Sequence, residues 1–338
     1  MRAAAVGTDG RLEIVDKPEP EPGPDEVVVA VDRCGICGSD LHLRDSGLLP
    51  AGAVLGHEFG GRVVVGASDG SGPAVGTLVS VLPARRCGTC EACTSGRSNL
   101  CPLQLPTSIG LGWRSGGYAE RVAVPSTSCH PVPTHTTPAQ AALAEPYAVA
   151  LHAFARSRVA LDPDLAVAVI GAGSVGLMCV AALARAGVTR MAVAEPRPYR
   201  ATTARLMGAV TVARAGDVAR ALGRAPDVVF EATGAAEAPG QAVALAAIGG
   251  QVVLLGVGAP GGQVPMPAFA WVVKEVDVVP SIAYTDAEFS DAVAAVAAGA
   301  ADRIVASTHH RGLANAEQAF EDLRRPDGPV KVLLDPTA

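Results

Sequence analysis

Leu165-Ala-Val-Ala-Val-Ile-Gly-Ala-Gly-Ser-Val-Gly176 is the stretch that decides how this 338-residue chain folds. Residues 165–170 are a continuous apolar run, the pattern of a parallel strand buried on both faces. Gly171, Gly173 and Gly176 follow, and an Ala-rich segment to about residue 183 reads as a helix. After a turn at Gly187, a second strand is expected over 190–194 and runs into Glu195. A lone G-x-G-x-x-G is weak evidence. Strand, glycines, helix, second strand and acidic residue in that order are a specific signature of dinucleotide binding. Gly171 permits the tight turn, Gly173 lets the backbone approach a pyrophosphate, and Gly176 lets the helix pack close to the strand. Ser174 and Val175 open the helix, whose N-terminus then faces the phosphates.

Glu195 can accept hydrogen bonds from both ribose hydroxyls, and its charge repels a 2′-phosphate, so NAD is expected over NADP. Arg197 and Arg200 work against this preference if either reaches the ribose edge; with the carboxylate in place, an arginine here is expected to stack on or flank the adenine. Further strands at 227–230 and 251–255, separated by a helical 238–248, continue a βα alternation. The fold class is therefore α/β with a doubly wound parallel sheet, assigned to 151–282.

Outward from this core the texture changes. Up to about residue 81 the apolar residues form short Val-rich runs, such as 26–31 and 62–65, broken by Pro, Gly and Asp. This reads as an antiparallel β domain with loops. Strand signals return at 116–125, and 138–156 looks helical. Past residue 280 come helices at 286–298 and 314–323 and a last strand at 330–334. Residues 283–338 are expected to return and complete the first domain, 1–150, with the active site in a cleft between the two domains.

Two groups of metal-ligand residues sit in the first domain. Cys34-Gly-Ile-Cys-Gly-Ser-Asp-Leu-His42 holds two thiols, a hydroxyl, a carboxylate and an imidazole, and Gly56-His57-Glu58 follows in what reads as a turn. Together they suggest a zinc centre on loops carried by strands. A separate lobe at 85–101 carries Cys87, Cys90, Cys93 and Cys101. Each C-x-x-C turn presents two sulfurs to one point, so four thiolates can close a structural zinc site with no open position. Cys34, Cys129 and Cys179 read as buried apolar thiols. His135, His309 and His310 read as solvated residues of polar loops, and His152 as packing or cofactor-side support.

Composition narrows the classes of partner. A net charge of -6 and a pI near 5.7, with no basic run, argue against nucleic acid. The first residues lack the apolar core of a signal peptide, and no apolar run reaches the ~18 residues of a membrane span. A cytoplasmic protein is expected, in which eight cysteines hold metal or pack rather than form disulfides.

The chain resembles the zinc-dependent medium-chain dehydrogenase/reductase family, the group of alcohol, polyol and threonine dehydrogenases. The resemblance rests on Gly35-Ile-Cys-Gly-Ser-Asp40, Gly56-His-Glu58, the four-cysteine lobe, Glu145-Pro146, the glycine motif, Glu195 and the strand that starts with Lys331. It implies a GroES-like β-barrel catalytic domain and a Rossmann domain. It also implies hydride transfer between NAD(H) and a secondary alcohol, diol or polyol and its ketone, two zinc ions per chain, and a homodimer or homotetramer. By this resemblance Cys37 rather than Cys34 is the thiolate of the catalytic zinc, His57 the imidazole, and Glu58 and Glu145 the carboxylates, one binding directly and the other holding water. Ser39 and His42 resemble a hydroxyl and imidazole proton relay, with Asp40 as a supporting partner.

Some residues depart from the family. Polyol dehydrogenases tend to have an Arg-Tyr pair where this chain has Ala283-Tyr284, and Gly76-Thr-Leu-Val79 replaces a Gly-Asp-Arg-Val turn with only local effect expected. Leu48, Trp113, Tyr147 and Tyr284 are candidate walls of a pocket suited to a less polar substrate. A sugar, inositol or amino-alcohol substrate is the first rival reading, and a non-catalytic dinucleotide-binding protein the second.

Overall fold

A computed structural model describes residues 1–112, 114–160, 162, 164–256, 258 and 262–338. Two compact units emerge, one formed by Met1–Glu145 with Tyr284–Ala338, the other by Pro146–Ala283.

The first unit begins with a hairpin of β1 (Arg2–Val6) and β2 (Leu12–Asp16). The long strand β3 (Glu26–Gly35) follows, then helix α1 (Gly38–Asp45), β4 (Glu58–Val65), β5 (Leu78–Val81) and the short α2 (Glu91–Thr94). After β6 (Arg121–Pro125) and β7 (Cys129–Pro131), the helix α3 (Pro138–Ala155) carries the boundary between the units. Residues 116–120, expected as strand, lie outside β6; backbone bonds from Gly116, Gly117 and Tyr118 to 54–56 hold them instead. β3 is the hub, pairing antiparallel with β4, β6 and, near its end, the returning chain.

The second unit runs β8 (Val167–Ile170), α4 (Ser174–Arg185), β9 (Met191–Ala194), α5 (Pro198–Leu206), β10 (Val210–Val212), α6 (Val218–Leu222), β11 (Val228–Glu231), α7 (Ala238–Leu245), β12 (Gln251–Leu254), α8 (Ala268–Lys274) and β13 (Asp277–Pro280). Its six strands are all parallel, in the order β10-β9-β8-β11-β12-β13. The strand order reverses direction between β8 and β11, the switch point at which doubly wound sheets bind ligands. Residues of β8, β9 and β11 are fully buried, which explains their unbroken apolar runs.

The chain then returns through α9 (Asp286–Ala297), α10 (Asp302–Val305), β14 (Thr308–Gly312), α11 (Ala316–Arg324) and β15 (Lys331–Asp335). β15 pairs with both β14 and β3 and so joins the sheet of the first unit. His309 and His310 correct the sequence reading in part. They are exposed, but they lie on strand β14, because regular pairing with β15 satisfies a backbone whose side chains stay polar.

Candidate active site

Cys37 lies two residues past the end of β3 and is the N-cap of α1. Its N–H donates to Asp40 Oδ2 at 2.9 Å, so the segment expected to be loop is a helix from Gly38 onward, nucleated by this short-range bond. At the positive end of α1 an anion on the Cys37 sulfur is favoured. His57 precedes β4 and Glu58 opens it; the β3–β4 register sets Glu58 opposite Gly35. A ligand atom from each of Cys37, His57 and Glu58 lies within 4.8 Å of the others.

Every member of this group is braced from behind. His57 Nδ1 lies 3.3 Å from Asp40 Oδ1, and His57 Nε2 3.3 Å from Ser39 Oγ. Asp40 is fully buried and its Oδ2 also accepts the Tyr118 hydroxyl at 2.8 Å. Burial works against a charged His57 ring, but the Asp40 carboxylate and Cys37 hold its pKa well above the usual histidine value. Metal binding at the ring displaces that proton. Glu58 Oε2 is ion-paired with Lys331 Nζ, which donates also to Ile36 O at 3.0 Å. Gly35 makes the pair possible, since a Cβ there would stand 2.1 Å from Glu58 Oε2. Glu58 Oε1 is buried with no hydrogen-bond partner among the described residues. A cluster of thiol, imidazole and carboxylate with one orphaned oxygen fits a zinc ion.

Glu145, on α3, is buried beside this group but outside the 4.8 Å set. Its Oε1 accepts the Tyr284 hydroxyl at 2.9 Å. Burial raises its pKa to about 7, opposed by His57 and assisted by Glu58. His42 is exposed on α1 and is not brought into the cluster. Of the candidate pocket walls among the described residues, Tyr284 bonds Glu145, Leu48 is 74% exposed and Tyr147 is buried within the other unit; Trp113 lies outside the described residues. Sequence reasoning missed Lys331 and Tyr118 as supports, because they lie 273 and 78 positions from the residues they hold.

In the cysteine lobe the four sulfurs also lie within 4.8 Å of one another. Cys87 to Cys93 is 3.8 Å and Cys87 to Cys101 is 3.6 Å. A tetrahedron with Zn–S bonds of about 2.3 Å has edges of about 3.8 Å, so the spacing fits zinc. Backbone N–H groups of Thr89 and Cys90 hold the Cys87 thiol down at about 6, whereas desolvation pushes Cys93 up to about 12. Cys34, Cys129 and Cys179 are buried free thiols.

The glycine motif lies between β8 and α4. Gly171 has φ +92, and a Cβ on Gly176 would stand 2.0 Å from Gly171 O. Ser174 Oγ, in the first turn of α4, is buried without a hydrogen-bond partner among the described residues, as a phosphate-binding hydroxyl would be. Val175 is half-buried in the same turn. Glu195 bonds to two backbone segments. Its Oε2 accepts Ala172 N and its Oε1 accepts Arg197 N, both at 2.9 Å, so it staples the glycine loop to the end of β9. Arg200 Nη1 comes within 3.8 Å of where a Gly173 Cβ would be, and burial with Arg197 lowers its pKa while Glu195 opposes this. This donor set fits a dinucleotide.

Comparison with known proteins places these features together. Residues 23–134 match the alcohol dehydrogenase GroES-like domain and residues 140–335 the glucose dehydrogenase C-terminus. Sorbitol dehydrogenase of Bacillus subtilis (strain 168) is 30% identical over 350 aligned positions, covering 99% of this chain and 97% of that one. A solved structure designated a zinc-binding dehydrogenase, from Sinorhizobium meliloti 1021 and bound to NADP, has a TM-score of 0.88 at 33% identity, covering 99% of both chains. The 2R,3R-butanediol dehydrogenase of Bacillus subtilis has a TM-score of 0.85 at 28% identity, again over 99% of both. The chain belongs to the zinc-dependent medium-chain dehydrogenase/reductase family and is an oxidoreductase of the alcohol dehydrogenase type.

Proposed function

We propose that this enzyme interconverts a secondary alcohol, diol or polyol and its ketone with NAD(H), and that Cys37, His57 and Glu58 hold the catalytic zinc. The observation that carries the assignment is the approach of their three ligand atoms within 4.8 Å around the orphaned Glu58 Oε1. In this reading Glu145 is the second carboxylate, held off the metal set by Tyr284. When bound, zinc supplies Lewis acidity toward the substrate oxygen and the nicotinamide accepts or returns the hydride. Ser39 Oγ takes the substrate proton, and exposed His42, three residues along α1, passes it to solvent. Asp40 fixes the His57 ring and Lys331 neutralises Glu58.

Cys87, Cys90, Cys93 and Cys101 hold a second, structural zinc. Glu195 favours NAD over NADP, with Arg200 flanking the adenosine. Ala283 lacks the cation that would grip a long polyhydroxylated chain, which favours the less polar members of the substrate class. The free cysteines favour a reducing, cytoplasmic compartment, and the family resemblance favours a homodimer or homotetramer.

Metal analysis with NAD-linked assays over an alcohol panel tests this. The purified protein should carry two zinc ions per chain, and Cys37→Ala should lose one together with activity. One zinc per chain, unchanged by Cys37→Ala, would sink the catalytic assignment.

A further inference from the structure

The structure ties the four-cysteine lobe to the carboxylate Glu145 through one short path. Arg86, which directly precedes Cys87, has a side chain only 7% exposed. Its Nη2 donates to Tyr284 O at 3.2 Å, its Nε to Asp286 Oδ1 at 3.3 Å, and its Nη1 to Gln104. Ser98, inside the lobe, accepts the Asp286 N–H at 3.2 Å. The lobe thus grips 284–286 from two sides. On the other side of the same segment, Tyr284 Oη donates to Glu145 Oε1, and its ring stacks on Phe289 at 5.5 Å.

The backbone there needs holding. Ala283 sits at φ +52, a left-handed conformation that an alanine keeps only when its surroundings enforce it. The capping box of Thr285 and Glu288 fixes the start of α9. It does not touch the Tyr284 carbonyl, which Arg86 does.

We propose that Arg86 is a positioning residue for Glu145, acting through Tyr284, so that the cysteine lobe orients the catalytic carboxylate as well as stabilising its own fold. The inference rests on the reading of Glu145 as part of the catalytic centre. A hydrogen bond to a charged group is worth roughly tenfold in an equilibrium or rate when lost without compensation.

The test compares the holoenzyme with Arg86→Met, Arg86→Lys, Tyr284→Phe and the double variant Arg86→Met/Tyr284→Phe. Zinc per chain, release of zinc to a chelator, kcat and KM are measured for each. Tyr284→Phe should lower kcat about tenfold, and Arg86→Met roughly three- to tenfold, each with two zinc ions retained and faster release of one. The double variant should be no worse than Tyr284→Phe, because both act through one bond, and Arg86→Lys should recover part of the loss. Unchanged kcat in Arg86→Met, or effects that multiply in the double variant, would overturn the role of the lobe. Full activity in Tyr284→Phe as well would remove the reading of Glu145 beneath it. If Arg86→Met sheds the lobe zinc, Arg86→Gln, which keeps a polar side chain beside the lobe but removes the guanidinium from the Tyr284 carbonyl, is measured in its place, and unchanged kcat with both zinc ions retained refutes the proposal.

Discussion

Replacing Lys331 by Met isolates the electrostatics of the cluster of Cys37, His57 and Glu58. Lys331 and Glu58 have side chains 0% and 1% exposed, so neither charge is screened by water. Methionine keeps most of the buried aliphatic stem, and what goes is the ion pair and the bond to Ile36 O. Breaking a buried pair by removing one partner costs about 3–5 kcal/mol, because the remaining charge is stranded. For a unit the size of the one containing both residues, this corresponds to a fall in Tm of roughly 6–20 °C. Differential scanning calorimetry of wild type, Lys331→Met and Lys331→Met/Glu58→Leu measures it. The double variant should recover most of the loss, since no charge is left unpaired. Added zinc should recover part of the single variant's loss, because a cation beside Glu58 replaces the ammonium. A single variant within about 1 kcal/mol of wild type, or a double variant no more stable than the single, would refute the view of this pair as a desolvated, mutually dependent unit.

Other expectations are narrower. Gly176→Val should weaken NADH binding more than about tenfold in a fluorescence titration, because a Cβ 2.0 Å from Gly171 O forces the glycine turn open. Ala283→Gly should leave stability unchanged or raise it by up to about 1 kcal/mol by relieving the left-handed φ, whereas Ala283→Val should destabilise, as chemical denaturation will show. His130 packs on Phe289 at 4.8 Å beside Ser290, and burial lowers its pKa against the opposing charge of Asp286. Between the lowered folded value and the ordinary value of about 6.5 the unfolded chain binds the extra proton, so stability falls as pH drops below about 6.5. His130→Phe should flatten this part of the stability–pH curve, and an unchanged slope would contradict the stated cause.

The parts of the molecule that the sequence revealed are those in which spacing itself carries the physics. Strands β8 and β11 are buried on both faces and so read as apolar runs, and the turn at Gly171 and Gly176 leaves no room for side chains. Cys87, Cys90 and Cys93 converge because two overlapping C-x-x-C turns aim them, and Cys101 joins from eight residues further on. Elements governed by distant partners were not visible. Helix α1 is short and largely polar, β14 gains its order from β15, and Lys331 meets Glu58 only through strand pairing across the whole chain. Glu195 was legible as an acidic residue after a strand, but its bonds to Ala172 and Arg197 depend on the fold of the glycine loop.

The division of the first unit into 1–145 and 284–338 has a consequence for synthesis. The lobe with Cys87 and Cys101, and the second unit, can emerge from the ribosome whole, while β3 must wait for β15. At about 5–20 residues per second, the interval between Glu145 and Lys331 is on the order of 10–40 s. Through that time Glu58 lacks its ammonium partner and the end of β3 at Cys34 and Gly35 lacks its β15 pairing. The Lys331–Glu58 pair therefore forms only once β15 has joined β3, whereas the four cysteines of the lobe are all synthesised long before it.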